Sequence, residues 1–231
     1  MKKLFFLFLL AFATFSLRAE GILGIGYQVG VTHLGNINRL VYTYNYTRPW
    51  LSQEMPFFKY AKGYQISFAF LSKNWGLEAG VSTLVETNEA YGIETATGLE
   101  AHRQIHVAQI AYSYGFRRVL KQTDHTEFGF TLSIDRNRLT AWTSYTNGQD
   151  EDFMRCLLEK TWGNTLRLNF SWFPAKPIGL SLRPFINLPW GHVNTEGLMW
   201  YITGDYNTQR GYAWNYGCTA CLTFRFGHDK Y

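Results

Sequence analysis

The chain has 231 residues, of which 46% are hydrophobic, 18% aromatic and 17% charged. Low charge with abundant Trp, Tyr and Phe excludes a disordered chain. The formal charge is +5, but Lys2, Lys3 and Arg18 lie in the first nineteen residues. The remainder carries 19 basic against 17 acidic residues, a charge of +2. That near balance removes the electrostatic case for nucleic-acid binding.

Residues 1–19 read as a signal peptide. Lys2 and Lys3 form a basic start, and Leu4 to Ala13 is apolar throughout. That run is too short to span a bilayer as a helix and suits an export signal. Cleavage is expected after Ala19, leaving 20–231 as one mature domain. No cysteine closely follows the apolar run, so a lipoprotein anchor is not expected, and no later segment reads as a transmembrane helix.

Downstream, apolar and small or polar residues alternate. Leu23, Ile25, Tyr27, Val29 and Val31 oppose Gly24, Gly26, Gln28, Gly30 and Thr32. Between them, Asn36 to Tyr46 breaks the rhythm: Ile37, Leu40, Val41 and Tyr44 follow helical spacing, and Pro49 stops the helix, with another short turn expected through Trp50 and Leu51. Alternation resumes at Tyr64–Phe70, at Leu77–Glu86 and at Ala108–Arg117. It continues at Phe128–Asp135, Leu166–Trp172, Leu180–Leu188 and Trp214–Gly227. Within the third long connection, Asp150 to Lys160 has acids first, basic residues late, and Phe153, Leu157 and Leu158 on one side. A short helix is expected there, its charges matched to the helix dipole.

Eight such segments, each roughly nine to eleven residues long on the apolar face, match tilted membrane-spanning strands. The connections alternate in length. Leu71–Trp75, Arg117–Glu127 and Phe173–Ile178 are short or moderate, whereas 33–62, 87–103, 136–163 and 189–212 are long. The expected fold is all-β: an eight-stranded antiparallel up-and-down transmembrane β-barrel with short periplasmic turns and long extracellular loops. The apolar face then meets lipid and the polar face fills the lumen, which for eight strands is just wide enough for side chains.

The lumen-facing set holds Glu78, Glu86, Asp135, Arg117, Arg167, Arg183 and Arg225. Buried charges need partners. Two clusters are expected: Glu78 with Arg225 or Arg117 near the periplasmic end, and Asp135 with Arg167 or Arg183 from the middle outward. Trp75, Trp162, Trp172, Trp190 and Trp214 fall near strand ends, where indoles form headgroup-level girdles.

Chemistry-bearing patterns are sparse. Cys218 and Cys221 are spaced as CxxC, but on a strand they face opposite sides, and Cys156 has no obvious partner. His102 and His106 lack the glutamate of a zinc motif and lead into a strand. His33 with a nearby Ser or Thr is the one candidate base for a lipid-modifying reaction. No metal and no cofactor is expected.

The signal peptide, eight alternating strands and the terminal FRFG (224–227) resemble small Gram-negative outer-membrane β-barrel proteins, on the plan of the outer-membrane protein A transmembrane domain. YNYTRPWLSQEMP (44–56) looks like a segment of Bacteroidota barrels. Phe224 and Phe226 are similar to the aromatic C-terminal strand signal read by the barrel-assembly machinery, although Tyr231 lies beyond them. The resemblance implies an outer-membrane location, lipid and lipopolysaccharide as surroundings, and a monomer. It also implies a non-enzymatic role in which extracellular loops bind a partner or shape the cell surface. The rivals are a lipid-modifying enzyme and a narrow channel for small or apolar solutes.

Overall fold

The period-two segments all enter one sheet, and that sheet closes on itself. The computed structural model describes residues 20–147, 151–175, 177–204 and 210–227. The expected leader, 1–19, and Tyr231 lie outside the described residues.

The elements in chain order begin with β1 (Glu20–Leu34), α1 (Gly35–Tyr46), β2 (Leu51–Gln53), β3 (Tyr60–Ser72) and β4 (Trp75–Ile93). Next come β5 (Glu100–Gln122), β6 (Thr126–Thr146), β7 (Glu151–Ala175) and β8 (Ile178–Pro189). Last are β9 (Val193–Asn194), α2 (Glu196–Thr203), β10 (Arg210–Gly211) and β11 (Ala213–Phe226). The ring runs β4-β3-β1-β11-β8-β7-β6-β5, and β5 pairs back onto β4. Every neighbouring pair is antiparallel. The first and last strands close the ring, from Gly21↔Phe226 to Leu34↔Ala213. Closure pairs the backbone groups that lipid could not satisfy.

Burial is inverted relative to a water-soluble protein. Outward Leu180 and Leu132 are 55% and 52% exposed, while inward Thr131 and Thr223 are fully buried. Trp172 and Trp162 stand ten residues apart on β7. At strand rise and barrel tilt this separates them by roughly 25 Å along the axis, the height of a lipid-facing apolar band. Among the described residues no helix is long and apolar enough to cross a membrane.

Two expectations about the connections change. The stretches 87–103 and 136–163 are mostly strand: β4–β5 and β6–β7 rise well past the apolar belt as hairpins. The helix expected from Asp150 to Lys160 is absent. Asp150 itself lies outside the described residues, and Glu151 to Lys160 pairs with β6 from Thr146↔Glu151 to Arg138↔Lys160. Leu157 keeps the inward register of Thr165 and Gly163 opposite buried Ala141, and a register shift follows at Trp142↔Arg155. A continuous ladder outweighs the weak local preference for helix.

The first long connection matches its expected pattern. α1 buries Ile37, Leu40, Val41 and Tyr44. Beyond Pro49 the expected short turn forms, closed by the Leu51 N–H on Arg48 O at 3.1 Å, and the chain then enters β2, which pairs Leu51 with Gly92 of β4. The last connection holds α2, which buries Leu198, Met199 and Ile202. Gly204 ends α2 at φ 74°, where a glycine carries no Cβ penalty, and its N–H reaches Trp200 O at 2.8 Å. At the opposite end the connections are short: Lys73–Asn74 is a two-residue turn.

Candidate functional site: the filled lumen and its cap

Three layers occupy the ring. At the turn end, Ile22, Ala69, Leu71 and Val119 form a small buried apolar cluster. Nearby, the Arg225 guanidinium lies 4.2 Å over the ring of buried Phe173.

Above this lie two hydrogen-bonded charge groups, one around Glu78 and Glu127 and one around Asp135. Arg117 reaches Glu78 at 3.2 Å and Glu127 at 2.6 Å. Arg183 reaches Glu78 at 3.1 Å and Ser67 Oγ at 2.7 Å. Arg225 pairs with Glu127 and with Glu20. Thr131 donates to Glu78 at 3.1 Å. Asp135 accepts from Ser133 at 2.8 Å, from Asn187 at 2.8 Å and from Thr165. Arg167 donates to Ser133 Oγ and to Ser113 Oγ, both at 3.1 Å. Four arginines thus sit among four carboxylates, Glu20, Glu78, Glu127 and Asp135, so the interior is formally neutral. Such a network is costly to break at one member and tolerable only because each charge is hydrogen-bonded.

The expected pairs form in part. Glu78 does meet Arg117, but Arg225 turns to Glu127 and Glu20 instead. Arg183 belongs to Glu78 rather than Asp135, because its long side chain reaches towards the turn end. Arg167 meets Asp135 only through the Ser133 hydroxyl. Glu86 sits at the rim, half-buried, and accepts from the Lys59 N–H at 2.8 Å.

Space for these side chains comes from β1. A Cβ on Gly24 would lie 3.0 Å from Ser67 Oγ and 3.8 Å from an Arg183 nitrogen. Gly24 therefore gives β1 a thin inward wall at the level where Arg183 packs.

Next comes a layer of amides. Asn215 donates to Gln109 at 2.8 Å, and Gln28 donates to the Thr83 carbonyl at 2.7 Å. These side chains, with Leu84 and Phe185, surround a cavity of about 20 Å³. That is room for about one water molecule.

The cap closes the far end. Leu40, Val41, Ala90, Ile105, Ala141 and Leu198 belong to one apolar core built from α1, α2 and the tall hairpins. Two asparagines of α1 fasten the segment before β3. Asn38 exchanges bonds with both backbone groups of Phe58 (2.8 and 2.7 Å), and Asn45 does the same with Met55 (2.9 and 3.1 Å). Tyr44 lies between two guanidinia, 4.1 Å from Arg48 and 5.7 Å from Arg103, and Arg103 also covers Tyr145 at 4.5 Å. Burial pushes the Tyr44 pKa up, and the two arginines pull it back. Arg48 donates to the Ile202 carbonyl at 3.2 Å, which ties α1 to α2.

No family model and no curated protein matches the chain. Several solved structures are similar to it. Ail, the attachment invasion locus protein of Yersinia pestis, in complex with the heparin analogue sucrose octasulfate, is 8% identical. That match covers 90% of this chain and 99% of that chain, with a TM-score of 0.49. Neisserial surface protein A is 10% identical over 90% and 97% of the two chains, with a TM-score of 0.46. The outer membrane protein OprG from Pseudomonas aeruginosa is 10% identical over 92% and 98%, also with a TM-score of 0.46. In this chain the closed ring, the polar lumen and the lipid-thick apolar belt decide the class. Its fold is that of a small outer-membrane β-barrel.

In the barrel, Trp75 and Trp172 stand at the turn end, while Trp162, Trp190 and Trp214 stand towards the cap. Arg118 lies 3.7 Å over the Trp75 ring. Phe226 stacks on Phe68 with centroids 5.7 Å apart, and Phe224 is opposite Ile178. His33 stacks face to face on Trp214, with centroids 3.8 Å apart. His102 stacks on Tyr91 at 4.3 Å and lies 3.7 Å from Glu89. Hydrogen bonds from Tyr91 and Gln104 hold the Glu89 carboxyl below the usual range. His106 shares a hydrogen bond with Thr87 at 2.8 Å. Among the described residues no three metal-ligating side chains converge. The Cys156 thiol donates to Met154 O at 3.5 Å, Cys218 and Cys221 are not bridged to each other, and Cys221 is buried inside the ring.

Reading the sequence missed Glu127, Glu20 and α2. Glu127 follows a turn, but it lies two residues before Gly129 on the polar register of β6, which marks it as inward. The Leu198, Met199 and Ile202 spacing ahead of Gly204 marked α2.

Proposed function

We propose that this chain is a non-enzymatic outer-membrane barrel that displays a rigid surface platform, with residues 1–19 serving as a cleaved export leader. The observation that carries this is the cap. α1, α2 and two tall hairpins bury a full apolar core above the lipid belt, far more structure than a connection between strands requires. The cap also leaves aromatic rings outward: Tyr42 and Tyr46 stack on each other with centroids 6.1 Å apart and stay exposed, as does Phe57. Exposed aromatics on a rigid frame suit partner binding. The neutral, filled lumen supports a scaffold rather than a channel, and the stacking of His33 on Trp214 gives a lipid-modifying reaction no support.

Site-specific labelling tests the placement. In a chain whose native cysteines are replaced by Ser, Tyr46→Cys is expected to react with a membrane-impermeant maleimide on intact cells. Lys73→Cys, at the turn end, is expected to react only after the outer membrane is opened. Equal reaction of both on intact cells, or of neither with folded protein present, contradicts the placement.

A further inference from the structure

Outward cations are expensive on a lipid-facing wall, and two of those here rest on aromatic rings. Arg118 covers Trp75, and Lys59 lies 4.9 Å over the Tyr60 ring. Three others stand together on β6 and β7, and among the described residues no such ring lies beneath them. On β6 the outward apolar run Phe128, Phe130, Leu132, Ile134 ends at Arg136, and Arg138 follows on the same face. On β7 the cross-strand partners are Trp162 opposite Arg136 and Lys160 opposite Arg138.

Like charges directly opposite on a sheet destabilise it. Here Arg138 faces Lys160, and Arg136 stands roughly 7 Å away along the strand. The outward neighbours from β5 are Tyr112 and Ile110, both uncharged. Among the described residues no carboxylate lies within 4.0 Å of any of the three. The Nε of Arg138 is shielded from solvent and has no hydrogen-bond partner. Arg136 and Lys160 are exposed, and Trp162 and Trp190 beside them are 50% and 57% exposed.

We infer that Arg136, Arg138 and Lys160 form a clamp for the phosphorylated sugar headgroup of an outer-leaflet glycolipid. The inference rests on the outer-membrane placement proposed above. The patch lies where the apolar belt ends on the cap side, which is the headgroup level of the outer leaflet. Arginine presents a planar fork matched to phosphate oxygens, and an added anion relieves the Arg138–Lys160 repulsion. Three cations over this area can hold two phosphoryl groups, and the exposed indoles offer faces against which sugar rings pack.

The test uses refolded full-length mature protein and nanodiscs containing bisphosphorylated lipid A. The Arg136→Gln/Arg138→Gln/Lys160→Gln variant is expected to bind about a hundredfold more weakly, about fivefold per cation. Lys59→Gln/Lys62→Gln, on the opposite wall, is expected to bind as the parent does. Heat-dependent gel mobility verifies the fold of each sample. If the triple variant does not fold, Arg138→Gln alone is expected to lose about fivefold. Unchanged affinity in the folded variant overturns the clamp. So does equal affinity of the parent chain for dephosphorylated lipid A or for phosphatidylglycerol nanodiscs. Cysteine labelling on cells is independent of lipid affinity, so failure of the clamp and failure of the outer-membrane placement are distinguishable.

Discussion

Glu78→Gln removes one negative charge from the middle of the lumen and little else. The Glu78 side chain is 4% exposed and sits between Arg117 and Arg183, at 3.2 and 3.1 Å. After the substitution Arg117 keeps Glu127 at 2.6 Å. Arg183 keeps only the Ser67 hydroxyl at 2.7 Å, and its Nε is already without a partner. The interior moves from neutral to one excess positive charge. Breaking a buried pair in this way costs about 3–5 kcal/mol. With a urea slope near 3 kcal/mol per M, the unfolding midpoint falls by about 1–1.7 M. Unfolding in phospholipid vesicles, followed by tryptophan fluorescence, measures the shift. Adding Arg183→Met removes the stranded cation, so the double variant is expected to be more stable than Glu78→Gln alone, with a coupling of about 1 kcal/mol or more. A midpoint drop under about 0.3 M, or strictly additive single effects, refutes the network.

Other outcomes follow from the same geometry. Gly24→Leu places a side chain where Arg183 packs and is expected to lower the midpoint by about 1 M, an overpacking cost of up to about 3 kcal/mol; an unchanged midpoint contradicts the thin-wall role of β1. Leu40 is fully buried in the cap, so Leu40→Ala is expected to cost about 2–5 kcal/mol locally. Protease would then cut near α1 while the barrel keeps its heat-dependent gel mobility; loss of both together would show that the cap and ring form one unit. The Glu89 carboxyl has its pKa lowered by Tyr91 and Gln104. Its contribution is therefore fully present above the unfolded value, near 4.3, and is lost only as pH falls through the lower folded value. A carbon-detected NMR titration that places Glu89 at or above the ordinary range contradicts that clasp.

The eight strands and their faces were legible because alternation over long runs has one interpretation when glycine, serine and arginine occupy one face. α1 was legible for the same reason at a different period. β7 was misread at its start because Phe153, Leu157 and Leu158 fit helical spacing, and only the ladder to β6 turns that stretch into strand. The sequence assigns a level to the Cα of Arg183 but not to its guanidinium, which travels several ångström along the lumen to Glu78. The Tyr44 stack between Arg48 and Arg103 carries no local signal, since its members come from α1, a turn and β5.

The ring is filled from end to end: an apolar floor, a neutral set of paired charges, an amide layer with a cavity of about 20 Å³, and a packed cap. Single-channel recording of folded mature protein in a planar lipid bilayer tests it most directly. No steady unitary conductance is expected from samples whose gel mobility shows a folded barrel. A steady conductance of defined size from the same samples would contradict it.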